Sequence, residues 1–303
     1  MQRDTGPEPA APGRQAVVGT PGRPAVVGTP GTPAAVGTPG TPTAVGTVGA
    51  RAAPAVTHTE DVMGTVVSFT VVAGDLPAAA VRAAVADACR VLHRADEVFS
   101  TWKPDSPVSR LRRGEAALSA LPPEVAEVLA LSERARSDSR GWFDPWAMPG
   151  GVDPTGLVKG WAVERAAGVL RAAGAAAALV NGGGDLAAFG SPGPGLRWRV
   201  GIQHPWRSGA LAAIAALRAA IATSASYERG AHLLDPRTRR PATRAASATV
   251  LGPSLALADA LATALAAGGD DALAAIGALD GYEGYLIRAD AGEADTGGIE
   301  FLS

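Results

Sequence analysis

The sequence predicts an α+β domain of mixed sheet and helices, preceded by a low-complexity tail. Three observations carry that prediction. Of the 303 residues, 47% are apolar, enough for a real core. Downstream of the first sixty residues, short β-branched runs alternate with alanine-rich stretches at helical spacing, in an order that suits mixed sheet and helices. Upstream, residues 16–51 repeat with a period of nine, AVVGTPGRP, AVVGTPGTP, AAVGTPGTP and then TAVGTVGAR. Each unit offers only a pair of small apolar residues among Gly, Thr and Pro, too little to bury a face as solenoid repeats do. Residues 1–57 therefore read as a disordered, partly polyproline-like tail, and 58–303 as one domain.

Charge and cysteine content exclude several classes. With 27 basic against 29 acidic residues and a net charge of −2, the chain is a poor match for the phosphate backbone of a nucleic acid. The lone Cys89 allows no disulfide within the chain and is expected to be a buried structural thiol, and no Cys/His cluster is spaced for zinc. No apolar run is long enough to span a bilayer, and neither a signal peptide nor a lipobox is visible, so a cytoplasmic location is expected.

The elements follow in order. Residues 62–72 (VMGTVVSFTVV) are β-branched and read as one strand, and 77–100 follow as a helix with one apolar face. A second helix over 121–139 is entered through Pro122 and Pro123. A third begins near Leu157, after the turn sequence Asp153-Pro154-Thr155-Gly156, in which the Asp side chain can accept local N–H groups. Strands are expected over 176–180, 197–202, 211–222 and 248–251, the alanines of 211–222 suiting a helix as well, with a long helix over 255–267 and a closing strand over 282–288.

The densest stretch, GWFDPWAMPGGVDPTGLVKGWAVER from Gly141 to Arg165, gathers aromatics and a lysine in a chain poor in both. Lys159 sits in the first turn of a helix, where free N–H groups and the helix dipole favour an anion; an ordinary capped helix explains the same residues. Gly182 to Gly184 follow a strand without the spacing of a dinucleotide-binding turn, so a tight turn and a close ligand approach both stand. His232, three residues before Asp235 and near Thr223, Ser224 and Ser226, has the richest polar surroundings of the four histidines. Asp259 and Thr263 stand at i and i+4 in an otherwise apolar helix, where the carboxylate needs a partner: a local cap or salt bridge, or a hard cation such as Mg²⁺.

Taken together, these segments resemble the ApbE family of FAD:protein FMN transferases. The resemblance runs from about Asp61 to the C-terminal region through MGT (63–65), FSTWKPDSPVSRL (99–111), GWFDP (141–145), DPTGLVKGWAVERA (153–166), VNGGGDL (180–186), WRVGIQHP (198–205), ATS (222–224), HLLDPRT (232–238) and ADALATAL (258–265). It implies an enzyme that binds FAD with Mg²⁺ and transfers FMN to a Thr or Ser hydroxyl of an acceptor protein, releasing AMP. By that resemblance Met63, Trp102, Trp142, Phe143 and Asp144 line the flavin pocket, Asp153 and Lys159 contact FAD, and Leu234 borders it. The Gly156 carbonyl, Asp259 and Thr263 hold Mg²⁺, while His232 is the base for the acceptor hydroxyl, oriented by Asp235. Three features depart from the family pattern: the passage between Asp144 and Asp153 is short, and Ala225 and Arg239 stand where glycine is usual, so reshaped turns are expected. The same site would serve two alternatives, Mg²⁺-dependent cleavage of FAD to FMN and AMP by water, and flavin binding without catalysis.

Overall fold

The computed structural model describes residues 43–44, 53–225 and 233–302. Within the stretch read as tail, β1 (Thr43–Ala44) is a two-residue strand, and the continuous chain enters β2 (Ala55–Val62) slightly before the expected boundary at 58. The strand expected over 62–72 is half of a hairpin. β2 and β3 (Thr65–Val72) join through Met63 and Gly64, at φ +54° and +68°. Two positive φ values give the tight turn whose twist matches paired strands, with Met in a place Asn or Gly usually fills.

The helices α1 (Ala78–Phe99), α3 (Pro123–Asp138) and α4 (Thr155–Ala172) form where the apolar periodicity puts them. Between the first two lies α2 (Pro107–Arg112), a short helix with no apolar period to announce it, capped by Ser106 accepting the Ser109 N–H. β4 (Ala177–Gly182) and β5 (Asp185–Phe189) form a second hairpin; β6 (Trp198–Gln203) precedes β7 (Leu211–Leu217) and β8 (Ala220–Ala225). The last two were expected as one strand over 211–222; the chain bends at Arg218-Ala219, inside an alanine-rich run that gives no turn signal. β9 (Leu234–Asp235) and β10 (Arg240–Pro241) make a small hairpin, followed by β11 (Ala245–Gly252), α5 (Leu255–Gly268), α6 (Asp270–Ile276), β12 (Glu283–Arg288) and β13 (Glu293–Asp295).

Among the described residues the main sheet has eight strands in the order β13-β12-β11-β8-β5-β4-β3-β2, antiparallel throughout, so β12 does not close it. Period-two alternation sends its side chains to two cores. Ala178, Val180, Ala187 and Leu286 meet the helices on one face. Leu179, Leu186, Tyr285 and Ile287 meet Val200, Ile202 and Leu217 of the smaller β1-β6-β7 sheet on the other. α5 lies innermost among the helices, with almost every residue buried, which is why its sequence is apolar all round. No helix among the described residues is long and apolar enough to cross a membrane.

Candidate active site

The site is built on the seam between α4 and α5, which glycine makes narrow. A Cβ on Gly160 would lie 2.5 Å from the Leu255 carbonyl oxygen and 2.8 Å from the Asp259 Cβ. One turn earlier, a Cβ on Gly156 would lie 3.2 Å from the Phe143 ring and 3.4 Å from the Thr263 hydroxyl. The spacing of four on each helix thus sets Gly156 opposite Thr263 and Gly160 opposite Asp259. A third level closes the seam: Glu164 Oε2 accepts the Ser254 hydroxyl at 2.9 Å and the Ala256 N–H at 3.0 Å, satisfying the N-terminus of α5.

Asp259 is buried, and its Oδ2 accepts the Gly160 N–H at 2.9 Å. Its Oδ1 lies 3.9 Å from Lys159 Nζ, and that ammonium also makes an ion pair with Asp185. Asp185 is fully buried at the start of β5, and its other oxygen accepts the Thr223 N–H at 3.2 Å. Ser224 Oγ stands 3.4 Å from Thr263 Oγ1, and Thr223 Oγ1 2.8 Å from Thr249 Oγ1. One lysine between two buried carboxylates makes a strongly polar point in an otherwise apolar interface. Of the residues that the family resemblance assigns to Mg²⁺, Thr263 stands across the seam from Gly156, and Asp259, one turn earlier on α5, stands across from Gly160. Asp185, in the sequence no more than the residue after the three glycines, is an ion-pair partner of Lys159.

The glycine cluster is a tight turn. Gly183 and Gly184 take φ +62° and +107°, and Asn181 Oδ1 accepts the Gly184 N–H at 2.9 Å. A Cβ on Gly183 would sit 2.5 Å from Thr65 Oγ1, so this turn and the Met63 turn abut at one end of the sheet.

Asp153 organises the entry to α4 as its turn sequence suggests. Its Oδ1 accepts the Thr155 N–H at 3.1 Å and the Thr155 hydroxyl at 2.6 Å. Oδ2 accepts Arg112 Nη1 at 2.5 Å, and the same guanidinium reaches the Pro149 carbonyl at 2.9 Å. Arg112 therefore braces the short passage, a role that nothing in its sequence neighbourhood signals. Asp144 accepts the Trp146 N–H at 3.0 Å and Arg136 Nε at 3.1 Å.

The other flavin-pocket candidates divide by exposure. Trp142 and Phe143 are buried, and the Arg237 guanidinium covers the Trp142 ring at 3.6 Å from its centroid. Met63 is half-buried against the main core, whereas Trp102 is 94% exposed. Leu234 is half-buried in β9. Asp235 Oδ1 accepts the Arg237 and Thr238 N–H groups at 2.8 and 3.3 Å, closing the β9–β10 turn. Arg239 keeps the left-handed conformation expected of glycine there, at φ +57°, and Ala225 sits buried at the end of β8 in strand geometry. His232 lies outside the described residues.

The ApbE family model matches residues 63–150 and 148–286, two stretches that meet in the passage braced by Arg112. Among curated proteins the chain is similar to the FAD:protein FMN transferase of Rhodobacter capsulatus, at 36% identity over 151 residues, covering 46% of this chain and 28% of that protein. It is also similar to the FAD:protein FMN transferase of Escherichia coli strain K12, at 32% identity over 150 residues, covering 46% of this chain and 43% of that protein. The chain thus spans less than half the length of either relative. Among solved structures it resembles the flavin transferase ApbE from Vibrio cholerae, with a TM-score of 0.67 at 23% identity over 80% of this chain and 97% of that one. It resembles the apo form of Pseudomonas stutzeri flavinyl transferase ApbE with a TM-score of 0.67 at 25% identity, covering 80% and 93%.

Proposed function

The chain belongs to the ApbE family, and on that premise we propose that it is an Mg²⁺-dependent FAD:protein FMN transferase, acting on a Thr or Ser hydroxyl of an acceptor protein and releasing AMP. The observation that supports the reading is the seam itself, where Asp259 lies 3.9 Å from Lys159 across from Gly160, and Thr263 lies across from Gly156.

The residues fit a hard cation: the Asp259 carboxylate, the Thr263 hydroxyl and the Gly156 carbonyl are oxygen donors only. Bound there, Mg²⁺ would supply charge neutralisation at the pyrophosphate of FAD. The Gly160 N–H fixes the Asp259 carboxylate in place, so no side-chain rearrangement is needed when substrate arrives. Asp185 holds the Lys159 ammonium, which extends from the second turn of α4, and that cation is the group that would meet a phosphate of FAD. His232 takes the proton from the acceptor hydroxyl as its oxygen bonds to the FMN phosphorus, and the pyrophosphate P–O bond breaks with AMP leaving. Asp235, pinned in its own turn, anchors the downstream end of the segment that carries His232.

The test is incubation of the purified protein with FAD, Mg²⁺ and an acceptor domain carrying the target Thr, followed by intact-mass analysis of the acceptor and assay of AMP. The acceptor is expected to gain the mass of an FMN ester. Asp259→Asn keeps the shape of the carboxylate but not its charge, and should slow transfer by about 100-fold or more while circular dichroism stays unchanged. AMP and free FMN without acceptor modification would instead establish hydrolysis; neither product, with FAD bound, would establish a carrier.

A further inference from the structure

We propose that His58, Glu60, Cys89 and His93 form a zinc site that ties the edge strand β2 to helix α1. His58 and Glu60 are two apart on β2, and Cys89 and His93 four apart on α1, so each pair projects from one side of its element. Packing brings the pairs together. A ring nitrogen of His58, a carboxylate oxygen of Glu60 and the Cys89 sulfur all lie within 4.8 Å of one another. His93 Nε2 joins them through Glu60 Oε1 at 2.6 Å, and His58 Nε2 stands 3.2 Å from Glu60 Oε2.

The donor set is one sulfur, two imidazoles and one carboxylate, four ligands of the kinds tetrahedral Zn²⁺ takes. Bond lengths to zinc put such ligands roughly 3.3–3.8 Å apart, so closing round an ion draws His58, Glu60 and Cys89 in from within 4.8 Å, parts His93 Nε2 from Glu60 Oε1, now 2.6 Å away, and turns the His93 ring toward the other three. The His58 and His93 side chains are 42% and 49% exposed, which gives an ion a way in, while Cys89 forms the buried floor. Burial, with the Glu60 carboxylate beside it, pushes the Cys89 thiol up to about 11. Binding replaces that thiol proton with the metal and releases it to solvent. This site shares no residue with the oxygen-only set on the α4–α5 seam.

Co²⁺ titration of the full chain tests the proposal, because a thiolate ligand gives cobalt a near-ultraviolet charge-transfer band that oxygen ligands do not. The chain has one cysteine, so within the molecule such a band can come only from Cys89. Expected are that band with one Co²⁺ per chain, tetrahedral bands in the visible, displacement by Zn²⁺, and a rise in Tm with Zn²⁺. Cys89→Ser should abolish the band and the Tm rise, His58→Ala should weaken Co²⁺ affinity at least tenfold, and Asp259→Asn should leave the band intact. No thiolate band at saturating Co²⁺ would overturn the site. So would a band with one Co²⁺ per two chains, or one whose affinity is unchanged in both His58→Ala and Glu60→Gln.

Discussion

The α4–α5 seam and the β2–α1 edge both gather charged side chains between two elements, yet they hold them by different means. At the seam, Gly160 lets the helices approach until a backbone N–H reaches the buried Asp259, and the Thr223 N–H likewise holds the buried Asp185. At the edge, His58, Glu60 and His93 hold one another on a partly exposed surface. A carboxylate fixed by the main chain is pre-set for a reaction, because moving it means moving a helix. Side chains that only hold each other can rearrange around an ion, since exposed pairs contribute little to stability.

The largest break in that contrast is expected from Gly160→Ala. Its Cβ meets backbone at 2.5 Å, which cannot swing aside, so the helices must separate. Thermal or denaturant unfolding should show a loss of about 1–3 kcal/mol, whereas Gly156→Ala, with side-chain neighbours at 3.2 and 3.4 Å, should lose clearly less. Equal losses would mean that the seam is not tightest at Asp259.

Next in size is Glu164→Ala, which removes the acceptor for Ser254 and the Ala256 N–H at the start of α5. A loss of about 1–2 kcal/mol is expected in the same assay. An unchanged midpoint would show that Ser254 alone caps this helix.

The smallest effect belongs to the edge. In metal-free protein His58→Ala should change stability by no more than about 0.5 kcal/mol. A loss above about 1 kcal/mol would place the edge in the same class as the seam and remove the distinction between them.

The seam was legible in the sequence because both its helices declare themselves: α5 is apolar throughout apart from Asp259 and Thr263, and α4 follows a turn sequence that positions Asp153. The ion pair between Lys159 and Asp185 was not, since it joins a helix to the first residue of a five-residue strand and leaves no local pattern. The hairpin at Met63-Gly64 and the bend at Arg218-Ala219, where the chain passes from one sheet to the other, were missed for a related reason: the tertiary structure holds turns whose residues do not ask for them. Arg239 shows the same override, keeping a left-handed φ that its side chain disfavours. The expectation of no Cys/His cluster for zinc looked only at spacing along the chain, whereas the packing of β2 on α1 brings donor atoms of His58, Glu60 and Cys89 within 4.8 Å of one another.

The placement of β2 has a consequence for self-association. Among the described residues, the eight-stranded open sheet ends at β13 and β2 with no further strand beyond either, and an unpaired sheet edge is a template on which another chain could add a strand. At one margin β13 is only three residues long and carries Glu293 and Asp295; at the other, β2 carries His58, Glu60 and Asp61 in the middle and at the end of its length. A docking strand would meet charge at both borders, so the sheet discourages fibre-like growth in either direction.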